Sequence, residues 1–163
     1  MDIPSQYQMI RNALPTEVSF GCGGIALLPL DEIEQAQLGY SVTSDGASLC
    51  SGEDGAWQLN WLVIGHDTAC GDPVFIDSRR LTMPVFTAMH SEGAWRPKQI
   101  ATSLDTFAKC LEEFSRIFQG RSNPMEREAN PVSDEERTSY LQRIAELNGI
   151  ASSPEFWDAL LEC

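Results

Sequence analysis

The stretch from Trp61 to Asp77, W-L-V-I-G-H-D-T-A-C-G-D-P-V-F-I-D, limits the fold more than any other part of the chain. Its first half is a continuous apolar run that ends at Gly65. Such a run suits a strand covered on both faces, because a strand with one wet face would alternate. Pro73 opens the second half where a strand tolerates proline, and Val74 and Ile76 then alternate with Phe75 and Asp77. Between the halves, His66 to Asp72 supplies glycine, threonine and aspartates, which accept turn geometry and bond their own backbone. The two halves are expected to pair at the centre of a sheet.

Other elements follow from spacing. Gly21, Gly23 and Gly24 read as a turn, Ile25 to Leu28 as a short buried strand, and Pro29 as its stop. Pro84 to His90 forms a strand with Val85, Thr87 and Met89 on one face and Phe86, Ala88 and His90 on the other, which extends the central pair into an antiparallel meander. Ser5 to Ala13 makes a short helix ended by Leu14-Pro15. Asp31 to Leu38 reads as a second short helix, with Ile33, Ala36 and Gln37 on a weak apolar face and three carboxylates in its first turn. Ser103 caps the strongest helix, in which Leu104, Phe107, Ala108, Leu111, Phe114 and Phe118 recur at helical spacing and must bury against the sheet. Residues 41–56 carry serine, glycine and aspartate without a period, and are expected to be a disordered loop.

Residues 121–132 read as a polar linker with two prolines. Ser133-x-x-Glu136 then has capping-box form and opens a helix bearing Tyr140, Leu141, Ile144 and Leu147, ended by Asn148-Gly149. Ser153-Pro154 starts a last helix with Phe156, Trp157, Leu160 and Leu161. The expected architecture is α+β. A mainly antiparallel meander packed by helices spans residues 1–120, and a helical appendage at 133–163 packs on that core or on a partner.

A chain of 163 residues, 42% hydrophobic and 21% charged, fits one globular domain. The N-terminus lacks a basic leader followed by an apolar core, and no run of 18 apolar residues occurs, so no membrane association is expected. Five cysteines are an odd number without C-x-x-C spacing, which argues against a disulfide framework or a zinc site and for a reducing cytoplasm. The net charge of −13 is unevenly placed: residues 1–77 hold 11 acidic side chains against Arg11, and the rest of the chain carries only −3. A field of that sign repels nucleic acid and anionic membranes and attracts a basic partner. It also keeps a protein soluble whatever its partners.

Catalytic readings are weaker than structural ones. His66, Asp67, Cys70 and Asp72 lie within seven residues, yet a metal would need ligands from elsewhere, and the calcium-loop pattern is absent. Cys70 and His66 could be drawn as nucleophile and base, but flanking aspartates disfavour a thiolate. Gly21, Gly23 and Gly24 match neither a dinucleotide fingerprint nor a phosphate loop. The four tryptophans are expected to pack rather than stack on bases. No cofactor, metal or catalytic residue is expected.

The ordered set G-G-I-A-L-L-P-L-D-E-I, W-L-V-I-G-H-D, G-D-P-V-F-I-D, P-V-F-T-A-M-H and W-R-P-K-Q-I-A-T-S-L-D-T-F resembles the SUKH superfamily over about Leu14 to Phe118. That superfamily includes bacterial immunity proteins that neutralise polymorphic toxins, and fungal regulators of cell-wall synthesis. The resemblance rests on the order of soft motifs and implies an α+β fold. It makes Gly24, Trp61, Ile64, Gly71, Asp72, Phe75, Asp77, Pro84, Trp95 and Phe107 scaffold positions, none of them catalytic. The sequence departs from the family in a shortened helical lead-in and in the helices after Ser133, which lie beyond the match.

The function expected on these grounds is non-enzymatic neutralisation of a protein toxin, a basic one such as a nuclease, by direct sequestration. The expected contact surface is acidic: Asp31, Glu32, Glu34, Asp45, Glu53, Asp54, Asp67 and Asp72. Two other readings compete with it. One is an intracellular scaffold or regulator that binds a protein through the C-terminal helices, and the other is an enzyme using His66, Asp67 and Cys70.

Overall fold

The computed structural model describes residues 3–19, 23–91, 93–149 and 154–162. Gly21, Cys22, Ser153, Cys163 and the side chain of His90 lie outside the described residues. The fold is α+β. Six described strands form one antiparallel sheet in chain order: β1 Glu17–Ser19, β2 Gly24–Leu27, β3 Trp61–Asp67, β4 Pro73–Asp77, β5 Val85–Ser91 and β6 Ala94–Ala101. The described helices are α1 Ser5–Arg11, α2 Leu104–Ile117, α3 Pro124–Ala129, α4 Asp134–Asn148 and α5 Pro154–Ala159.

β3 and β4 pair as the apolar runs predict, with Trp61 opposite Asp77 and Leu62 opposite Ile76. The register shifts between Val63 and Gly65. Glycine is required there, because a Cβ on Gly65 would stand 2.3 Å from the Ala26 carbonyl oxygen of the neighbouring strand. Alternation then sends side chains to two different layers. Leu62, Ile64, Val74, Ile76 and Val85 join the main core with Phe107, Leu111 and Phe114 of α2. Val63, Phe75 and Ala88 face the other way and pack with Trp57.

α2 begins where the sequence places it, with the Thr106 amide donating to the Ser103 hydroxyl at 3.0 Å. α4 opens on the full capping box of Ser133 and Glu136. Both C-terminal helices contribute to the main core: Tyr140 and Ile144 of α4 and Trp157 of α5 are buried in it. The expected linker contains α3 and is pinned at its start by Arg121. That side chain is buried and donates to the Ile117 and Asn130 carbonyls and to the Glu136 carboxylate.

Three expectations are corrected. β6 was not foreseen, because Pro97 breaks a strand pattern. It fits because β6 is the edge strand: the Trp95 amide turns outward to the Gly55 carbonyl, and the Pro97 nitrogen, two residues on, faces the same open side. The helix expected over Asp31 to Leu38 is reduced to turns and a 3-10 segment, Gln35–Gln37. Gln37 is drawn inward to stand in for a missing strand. Its amide donates to the Val63 carbonyl and accepts from the Val63 N–H, both at 3.0 Å, beyond the end of β2. Finally, residues 41–56, expected to be a disordered loop, form hydrogen-bonded turns laid against the outer face of the sheet beside Tyr40 and Trp57.

Gln37→Leu would leave both Val63 groups buried without partners. The expected cost is roughly 2–4 kcal/mol, read as a lower urea midpoint with unchanged slope. A loss below about 0.5 kcal/mol would mean that water replaces the amide.

Candidate functional site

The chain between the 3-10 segment and β3 covers the outer face of the sheet, and aromatic residues hold it there. Trp57 is buried against Tyr40, Trp61, Phe75 and Trp95, at centroid distances of 4.9, 5.3, 4.8 and 5.1 Å. Its indole N–H donates to the Trp61 carbonyl at 3.1 Å. Short backbone bonds fold the layer on itself: Leu49 N–H to Ser41 O and Thr43 N–H to Ala47 O, both 2.9 Å. A segment rich in glycine and serine gains little burial of its own, so this aromatic plug is what fixes it.

Asp31, Glu32, Glu34, Asp45, Glu53 and Asp54 are all exposed on this layer and the turns leading into it. None of the six joins an ion pair among the described residues. The C-terminal half behaves differently, since Arg116, Arg121, Arg137 and Arg143 pair with Glu113, Glu136, Asp158, Glu162 and Glu146. Arg11, the one cation of residues 1–77, does not neutralise the layer either. It is 6% exposed and donates to the carbonyls of Leu27, Leu28 and Leu14, tying α1 to the end of β2. The negative charge is therefore uncompensated and faces solvent. Leu38, Leu49 and Leu59 are exposed on the same layer and give it apolar contact area.

No family model, curated protein or solved structure matches this chain.

Asp45 accepts from the Thr43 hydroxyl. That bond, followed by backbone bonding, holds its carboxyl below the usual carboxylate range, so it stays charged into mild acid. Asp67 must be removed from the expected contact surface. It is only 7% exposed, and its two oxygens accept from the amides of Ala69, Cys70 and Asp72 at 3.0, 2.6 and 3.0 Å. It organises the β3–β4 turn, in which Gly71 takes a positive φ of 75°. Asp77 is buried and accepts from Asn60, the Arg79 amide and Arg80.

Gly24, Pro84, Ile64, Phe75 and Phe107 are buried, and Trp61 and Trp95 are half-buried in the outer aromatic cluster. His66 and Cys70 are both exposed and no hydrogen bond joins them. Among the described residues no group of three His, Cys, Asp or Glu side chains could hold a metal ion, and no helix is long and apolar enough to cross a membrane.

Asp72 is half-buried, and burial followed by the neighbouring Asp67 pushes its carboxyl above the usual range. The fold thus holds the proton more tightly than the unfolded chain does. The ionised group costs stability above its folded pKa, and the cost disappears once pH falls below the unfolded value. Asp72→Asn is accordingly expected to raise Tm at neutral pH and to lose that gain on acidification through the carboxylate range. A gain of equal size at both ends of a pH series of melts would contradict this assignment.

Proposed function

We propose that this chain is an immunity-type binding protein of the SUKH kind, which acts in the cytoplasm and neutralises a protein toxin by direct sequestration without catalysing a reaction. The observation that carries the reading is the set of six exposed carboxylates that join no ion pair among the described residues, held by an aromatic plug on one face of the sheet, whereas Arg116, Arg121, Arg137 and Arg143 are ion-paired. Uncompensated charge on a fixed surface raises the encounter rate with an oppositely charged partner and excludes nucleic acid from the same face. A basic protein such as a nuclease is the partner that this field fits. Occlusion needs no chemistry from the binder, only a surface that covers the cationic cleft.

Burial of Tyr140, Ile144 and Trp157 in the main core favours this reading over a regulator that docks through the C-terminal helices. The test is association kinetics with the toxin candidate encoded beside this chain, over a salt series. Reversing Asp45, Glu53 and Asp54 to lysine is expected to slow association about tenfold or more at low salt, with the difference shrinking as salt is raised. Rates indifferent both to salt and to the reversal would overturn the electrostatic mechanism.

A further inference from the structure

On the helix side of the sheet, away from the acidic layer, β5, β6 and α5 enclose a groove of about 390 Å³. Thr87 and Met89 of β5 line it with Phe156 and Ala159 of α5, and Asp72 reaches it from the β3–β4 turn. Two of these groups lack partners. The Thr87 hydroxyl is buried without a hydrogen bond, and a buried hydroxyl in that condition is uncommon in a folded chain. The Asp72 carboxylate accepts no hydrogen bond and joins no ion pair among the described residues. The cations that also line the groove are engaged: the Lys98 ammonium lies 3.8 Å from the Glu155 carboxylate, and Arg96 has a contact of its own. Beside the unpartnered pair, Met89 presents an exposed, adaptable apolar side chain.

We propose that this groove receives one lysine or arginine side chain of a partner protein, with the aliphatic stem along Met89 and Phe156 and the cationic head donating to the Asp72 carboxylate and the Thr87 hydroxyl. A long basic side chain has this division into apolar stem and charged tip. An anion would meet Asp72. A wholly apolar occupant would bury that carboxylate further and satisfy neither group. The inference rests on the reading above only in taking the partner to be basic, and it adds a contact point on the opposite face of the sheet.

Its test uses small probes and no toxin, so the two ideas fail separately. Amide spectra of the folded chain are titrated with N-acetyl-arginine methylamide, N-acetyl-lysine methylamide and the apolar N-acetyl-norleucine methylamide. The basic probes are expected to shift the amides of Thr87, Met89 and Phe156, and the norleucine probe to bind about tenfold more weakly, as loss of a charge-assisted bond implies. Asp72→Asn, which keeps the backbone bonds of the turn, is expected to weaken the arginine probe by a similar factor. Ala159→Phe, at an exposed position, is expected to block every probe by filling the groove. Norleucine binding as tightly as arginine, arginine affinity unchanged in Asp72→Asn, or no shift at these amides with any probe would each overturn the proposal.

Discussion

Trp157→Ala is expected to lower stability by about 3–5 kcal/mol, the range for removing a large aromatic from a packed core. Trp157 is fully buried, with rings of Phe107, Phe114 and Phe156 around it at 6.1, 6.5 and 5.4 Å. Its indole N–H donates to the Ile100 carbonyl of β6 at 2.9 Å, so the substitution also leaves a buried acceptor without its donor. The cost falls on the whole molecule and not on one end, because α4 packs along α2 and α5 closes the core beside β6. Removing residues 121–163 is expected to abolish cooperative unfolding, since Phe107, Phe114 and Phe118 would lose their cover. A truncated chain that still melts in one sharp transition, or a Trp157→Ala loss below about 1 kcal/mol, would make the C-terminal helices an appendage after all.

Trp57→Ala is expected to cost a similar amount, about 3–5 kcal/mol, but to act on the other face. Four aromatic neighbours lose contact with it, and such pairs contribute beyond the area they bury. The distinguishing result is local. Amides that tie the layer down, Leu49 to Ser41 and Trp95 to Gly55, are expected to exchange much faster, while those of α2 follow only the global loss. Equal acceleration in both places would mean that the layer is not a separate unit held by the plug. Because the acidic side chains ride on this layer, the variant is also expected to lose partner affinity faster than its remaining folded fraction accounts for.

The parts of this fold that were legible in the sequence are those in which burial leaves a period. The apolar run of β3, the alternation of β4 and β5, the Ser103 cap and the Ser133–Glu136 box each tie a local pattern to one physical demand. What escaped depends on partners distant in sequence. Gln37 is inside because a strand 26 residues later lacks a neighbour at Val63, and no local pattern announces that. β6 was hidden by a proline that only an edge strand accepts. α3 did carry a local signal, Asn123 as cap, Pro124 in the first turn and Glu126 three residues after the cap, which the polar composition of the stretch masked. For the site, charge asymmetry marks where the carboxylates concentrate, but sequence alone does not separate a displayed carboxylate from one that organises a turn. Asp67, bonded by three amides, and Asp54, exposed, look alike until the turn is built.

Rescue of growth tests directly whether the acidic layer captures a basic toxin. Cells are made to produce each toxin candidate encoded beside this chain, together with either the wild-type chain or the Asp45, Glu53 and Asp54 to lysine variant, matched for folded protein. Growth is the readout. The wild-type chain is expected to restore growth against one candidate and the reversed variant to fail against it. Failure of the wild-type chain against every neighbouring candidate, or equal rescue by the reversed variant, would contradict capture by the acidic layer.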